Sequence, residues 1–94
     1  MTARQVAVII NRQGLHARPS TRIVEIANRF QSNITIRCGS TSANGKSVLS
    51  LLSLCAPHEA ELIIEADGPD EEKAVATIAA EIGKGFGELY ESDK

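Results

Sequence analysis

Between Asn33 and Cys38 the chain alternates with period two. Ile34, Ile36 and Cys38 fall on one side and Thr35 and Arg37 on the other, as in a half-buried strand. Glu61 to Ala66 repeats the pattern, with Leu62, Ile64 and Ala66 inward and Glu61 and Glu65 outward. The β-branched Val6, Val8, Ile9 and Ile10 predict a further strand from Arg4 to Ile10, ended by the polar, flexible break Asn11 to Gly14. Ser40 to Asn44, after Gly39, reads as a short polar edge strand.

Elsewhere the period lengthens to that of a helix. Ile23, Ile26, Ala27 and Phe30 stand at i, i+3, i+4 and i+7 and form one apolar stripe, with Arg22, Glu25 and Arg29 off it. Pro19 fits only the first turn of that helix, where a missing N–H costs nothing. Ala74, Val75, Ile78, Ala79 and Ile82 form a second stripe, with Asp70 as N-cap, Glu71 and Glu72 at the positive end and Gly83, Gly85 and Gly87 as the stop. Between them "NGKS" opens a short helix over "SVLSLLSL", which Pro57 and His58 close off. Its Val48, Leu49, Leu51, Leu52 and Leu54 cover more of a two-turn helix than one core-facing side can absorb, so some should meet water.

The resulting order is β-α-β-β-α-β-α, with too few residues per crossover for a doubly wound sheet. It predicts an α+β fold in which helices cover one face of a small antiparallel sheet. There is no internal repeat or linker, so residues 1–94 read as a single domain. A domain of 94 residues removes only roughly 60–65% of its unfolded surface from water. With two Phe, one Tyr and no Trp, that thin core must be aliphatic, and aromatic platforms for stacking bases are lacking.

The net charge of −2 and the scatter of the ten Lys and Arg argue against nucleic acid as the main partner. No secretion signal is seen, and no apolar run approaches the roughly 18 residues a membrane span needs. A cytoplasmic protein without membrane insertion is therefore expected. Cys38 and Cys55 stand apart from each other and from any histidine, which predicts two reduced, largely buried thiols, no metal site and no cofactor. His58, in a polar loop beside Pro57 and Glu59, reads as an ordinary surface histidine.

"NRQGLHARPST" places His16 between a glycine break and a proline, at or just before a helix N-terminus, where unpaired N–H groups and the helix dipole attract anions. Arg18 adds a fixed positive charge. An ordinary imidazole is mostly neutral at pH 7 and keeps a nitrogen lone pair for nucleophilic attack, which suits a phosphoryl group. Spacing alone favours a plainer reading, in which His16 caps the helix and Arg18 is a solvated charge.

"GLHARP" resembles the active-site motif of HPr, the histidine phosphocarrier of the bacterial phosphoenolpyruvate-dependent phosphotransferase system. "NGKSVLSLLSL" resembles that family's second signature at the expected separation. The resemblance runs from the first strand to the last helix. It implies an open-faced β-sandwich, a four-stranded antiparallel sheet with three helices on one side.

It also implies a covalent carrier, not an enzyme acting alone. His16 would take a phosphoryl group from enzyme I on Nδ1 and pass it to an EIIA-type sugar-transport or regulatory acceptor. Ala17 and Arg18 would cradle the phosphate, and Ser20 would add a hydroxyl contact. Ser47, read from spacing as a helix cap, matches a serine that a dedicated HPr kinase/phosphorylase modifies in many members. Val48, Leu49 and Leu52 match the exposed docking patch for enzyme I and acceptors, whereas Leu51 and Leu54 match core positions.

The chain also departs from the pattern. Glu25 and Asn28 stand where sugar-system members often carry lysines, and Cys55 stands where glycine is frequent. The ending "GKGFGEL" is similar to HPr-like proteins of the nitrogen-related branch. A regulatory effector controlled at Ser47 and a module binding a free anion at a helix end stay open as alternatives. A histidine that partners approach freely favours a monomer.

Overall fold

The computed structural model describes residues 2–87. Four strands, β1 (Thr2–Val8), β2 (Asn33–Cys38), β3 (Thr41–Asn44) and β4 (Glu61–Asp67), form one antiparallel sheet in the order β1-β4-β2-β3. The interleaved helices α1 (Ala17–Ala27), α2 (Val48–Leu52) and α3 (Glu71–Gly83) complete the expected open-faced α+β sandwich. A tight turn over Gly85–Gly87 follows α3.

The core lies between the sheet's inner face and the helices. Ile34 and Ile36 of β2 and Leu62, Ile64 and Ala66 of β4 meet Ile23, Ile26 and Ala27 of α1 and Ala74, Ile78 and Ile82 of α3, all at most 3% exposed. Each fully buried Ile or Leu contributes about 1.5–3 kcal/mol through the area it removes from water, so the aliphatic residues suffice without aromatic ones. On the open face Arg37 crosses from β2 to pair with Glu65 of β4, Nη2 to Oε1 at 2.9 Å.

Two element boundaries and one cap differ most from the sequence expectation. The first strand lies two residues earlier, and Val6 and Val8, whose branching suggested it, point to the open face and stay 47% and 44% exposed. The alternate positions Ala3 and Ala7 pack against the core, and Ile9, past the strand, is fully buried. The first helix stops at Ala27, because Arg29 and Phe30 donate to the carbonyls of Ile26 and Ala27 at i+3 spacing and tighten the chain out of the helix. Phe30 therefore packs on the core from the connection.

The third difference concerns Asp70. It sits at the N-cap of α3, but its carboxylate makes no cap bond. Oδ1 instead accepts from Ser32 Oγ at 2.6 Å and Ser32 N at 3.0 Å, and Oδ2 accepts from Gln31 N at 2.9 Å. These bonds fasten the connection between α1 and β2 to the start of α3. The Ser32 hydroxyl first, and the Gln31 amide second, hold the carboxyl below its ordinary range.

Candidate functional site

After Ile9 the chain must reverse onto the helical layer, and it does so in a turn closed by Gly14 N donating to Asn11 O at 3.2 Å. Gly14 has φ +72°, and a Cβ there would lie 2.5 Å from Ala56 O. Glycine is thus required twice, for the left-handed backbone and for the approach of the segment after α2. That approach lets Leu15 N donate to Ala56 O at 2.9 Å while the Leu15 side chain enters the core.

His16 comes next, extended at φ −89° and ψ −164°, as the N-cap of α1. Its own N–H donates to Gly14 O at 3.0 Å and its carbonyl accepts from Ser20 N at 3.0 Å. The imidazole makes no capping bond to the helix. It is half-buried, whereas Ala17 and Arg18 beside it are exposed. The N–H groups of Ala17 and Arg18 have no intrahelical carbonyl to reach, and Pro19, third in the turn, has no N–H and is buried. This end of α1 therefore presents positive backbone dipoles, the Arg18 charge and an imidazole together.

Ser20 does not share that position. It lies on the inner side of α1 with no exposed surface, so its hydroxyl faces the core and not the place where an anion would approach. Helix geometry gives the reason, since Ser20 shares a side of α1 with Ile23 and Ala27.

The second signature meets the same region, with α2 packed against α1. Ser47 caps α2: its Oγ accepts from Ser50 N at 3.2 Å and its carbonyl from Leu51 N at 3.1 Å. The surplus of apolar residues divides as expected at Leu49, Leu51 and Leu54, whereas Val48 and Leu52, expected in an exposed patch, are only partly exposed. Leu51 and Leu54 are buried, Val48 and Leu52 are partly buried, and Leu49 is 80% exposed. Cys55 corrects the expectation of two largely buried thiols: it is exposed, at φ +50°, because Leu54 and Ala56 on either side both turn inward. Cys38 is partly buried, and His58 is exposed.

Two side chains that matter here were not singled out from sequence. Lys46 Nζ donates to Phe30 O at 2.9 Å, tying the segment before Ser47 to the end of α1. Asn11, read only as part of a polar break, is fully buried, and its Nδ2 donates to Gly14 O at 2.8 Å. Neither has a local sequence signal, because each acts on a backbone atom that only the turn geometry brings near. No group of three or more His, Cys, Asp or Glu among the described residues could hold a metal ion.

The family model for the "PTS HPr component phosphorylation site" matches residues 3–83. The chain is 36% identical over 89 residues to the phosphocarrier protein NPr of Escherichia coli K12, spanning 94% of this chain and 99% of that one. Of the ending "GKGFGEL", Glu88 and Leu89 lie outside the described residues. The fold is similar to HPr from Thermoanaerobacter tengcongensis, with TM-score 0.86 and 32% identity over 90% of this chain and 96% of that chain. It is also similar to the catabolite repression containing protein Crh of Bacillus subtilis, with TM-score 0.72 and 34% identity over 79% of this chain and 85% of that one. Both "GLHARP" and "NGKSVLSLLSL" fall inside the matched span, and the chain belongs to the HPr family of phosphocarrier proteins of the phosphotransferase system.

Proposed function

We propose that this chain accepts a phosphoryl group from phosphorylated enzyme I on His16 and hands it to an EIIA-type acceptor in the cytoplasm. The observation that carries this reading is the placement of the His16 imidazole at the N-cap of α1, beside the exposed Ala17 and Arg18. An imidazole nitrogen attacks phosphorus with its lone pair. The bond from phosphorus to the donor breaks, and that electron pair leaves with the donor. The new N–P bond is labile enough for the acceptor's nucleophile to repeat the exchange. Ala17 N–H, Arg18 N–H and the Arg18 guanidinium stabilise the charge on the phosphoryl oxygens. With Ser20 buried, the cradle consists of residues 17 and 18.

Transfer between two proteins needs a reachable nitrogen and a surface for docking, and exposed Leu49 with partly buried Val48 and Leu52 supplies an apolar one. Phosphate on Ser47 would add a charge of about −1.5 to −2 beside that surface and weaken docking of acidic partners. The test is intact mass after incubation with phosphoenolpyruvate and enzyme I, for the native chain and His16→Ala. One acid-labile phosphate on the native chain alone is expected. No label on either, with an enzyme I active on another carrier, would sink the proposal.

A second reading is a regulatory effector controlled at Ser47. It is favoured by the cap position of Ser47 on α2 and by the likeness to Crh. In that case His16→Ala leaves function intact and Ser47→Ala abolishes it.

A further inference from the structure

We infer that Asn11 is a positioning residue for phosphoryl transfer, acting through the Gly14 carbonyl on the backbone of His16; this rests on the carrier reading of His16. Asn11 has no exposed surface, yet it lies in a turn and not in a strand or helix of the core. Its backbone carbonyl accepts from Gly14 N at 3.2 Å, and its side-chain Nδ2 donates to Gly14 O at 2.8 Å. Gly14 is thereby gripped on both of its polar backbone groups by one residue. The same Gly14 carbonyl accepts the N–H of His16 at 3.0 Å.

The consequence is a direct chain of contacts from a buried amide to the acceptor. Gly14 is the residue in the left-handed region, the conformation with the most freedom to relax toward other states. A carbonyl at such a residue swings with small changes in backbone angle, and His16 would swing with it. The Asn11 amide removes that freedom by holding the carbonyl from the core side while His16 N–H holds it from the other. His16 then enters α1 at one angle, with its imidazole fixed relative to the Ala17 and Arg18 amides.

The residue type is dictated by the contact. Gly14 O is an acceptor, so the partner needs a donor on a short stem three residues back, and Asn provides one. Aspartate of the same shape would turn an oxygen toward an oxygen. In-line transfer is sensitive to such placement, and a displacement of about 1 Å at a reacting group can cost on the order of 100-fold in rate.

The experiment measures enzyme I-catalysed phosphorylation with the carrier as varied substrate, for native chain, Asn11→Ala and Asn11→Leu, at a temperature where circular dichroism shows each fully folded. Leucine keeps the buried volume while removing the amide, the Nδ2 donor included, so it serves if alanine fails to fold. Ser32→Ala is the control. It removes a fully buried polar side chain at the far end of α1 and sets the size of a purely structural effect. Expected for both Asn11 variants is a fall in kcat of roughly tenfold or more with KM within about twofold, together with a shifted His16 amide resonance and faster exchange of that amide. Ser32→Ala should keep the native kcat.

Native kcat in the Asn11 variants, or a fall matched by Ser32→Ala, would overturn the positioning role while the labelled native chain left the carrier reading standing. A native chain that takes no label would overturn both.

Discussion

Two glycines at similar φ separate backbone strain from steric fit at the site. Gly14 has φ +72° and Gly39 has φ +61°, but a Cβ on Gly39 meets nothing within 4 Å, whereas one on Gly14 lies 2.5 Å from Ala56 O and 3.0 Å from Pro57 Cα. For Gly39→Ala the left-handed conformation costs about 1–2 kcal/mol, and the reduced freedom of the unfolded chain offsets about 0.4–1 kcal/mol of it. The net loss is about 1 kcal/mol. Gly14→Ala carries the same net strain and must in addition displace a backbone carbonyl.

That carbonyl accepts from Leu15 N at 2.9 Å, and Leu15 is only 4% exposed. Losing the bond costs about 0.5–1.5 kcal/mol, and loosened packing of the side chain adds a comparable amount. Gly14→Ala should therefore lose about 3 kcal/mol, about 2 more than Gly39→Ala. A chain of 94 residues is typically stable by roughly 5–14 kcal/mol, so both variants stay folded in water. Urea unfolding of the two, analysed by linear extrapolation with equal slopes, reads the difference. Values within about 0.5 kcal/mol of each other, the scatter expected for surface changes, would refute the claim that Ala56 and Pro57 close on Gly14.

Asp70 sets a pH dependence. Its carboxyl is held below its ordinary range in the folded chain by Ser32 and Gln31, so the folded state binds this proton less readily than the unfolded one. The stabilisation is fully present above the unfolded value, near pH 4, and is lost as pH falls through the lower folded value. Thermal melts from pH 7 down should show that loss, and Asp70→Asn should flatten it; an unchanged acid slope would refute the assignment. Leu51→Ala should cost about 2–5 kcal/mol in urea and Leu49→Ala under about 0.5, while KM for transfer from enzyme I rises for Leu49→Ala; equal stabilities would contradict the burial of Leu51. Leu52→Asp should slow phosphoryl uptake with the circular dichroism spectrum kept, and loss of folding would place Leu52 in the core.

The elements that were legible from sequence are those where one period ran uninterrupted. Ile34, Ile36 and Cys38, then Leu62, Ile64 and Ala66, alternate because each strand has one wet face, and α3 shows its stripe for the same reason. β-branched residues mark extended backbone without marking a face, which puts the expected first strand two residues late; both valines inside the strand, Val6 and Val8, face outward. At the site, the N-cap position of His16, the exposure of Arg18 and the burial of Leu51 and Leu54 were legible, since motif and helical spacing are local. The burial of Ser20 follows from the phase of α1, where it shares a side with Ile23 and Ala27, although the motif alone points it toward the phosphate. Asn11 and the Asp70 bonds to residues 31 and 32 depend on segments that meet only after folding.

The strand order has a kinetic consequence. Among the described residues β1 pairs with β4 alone, residue 2 opposite residue 67 and residue 8 opposite residue 61. During synthesis from the N-terminus, the first strand made must therefore wait for the last one before it has a hydrogen-bonding neighbour, while β2 and β3 can close their hairpin at once. Until then its backbone donors and acceptors are open to other chains. Arg4 and Gln5 at its middle, both exposed in the finished sheet, keep that waiting segment polar enough to discourage pairing with the wrong partner.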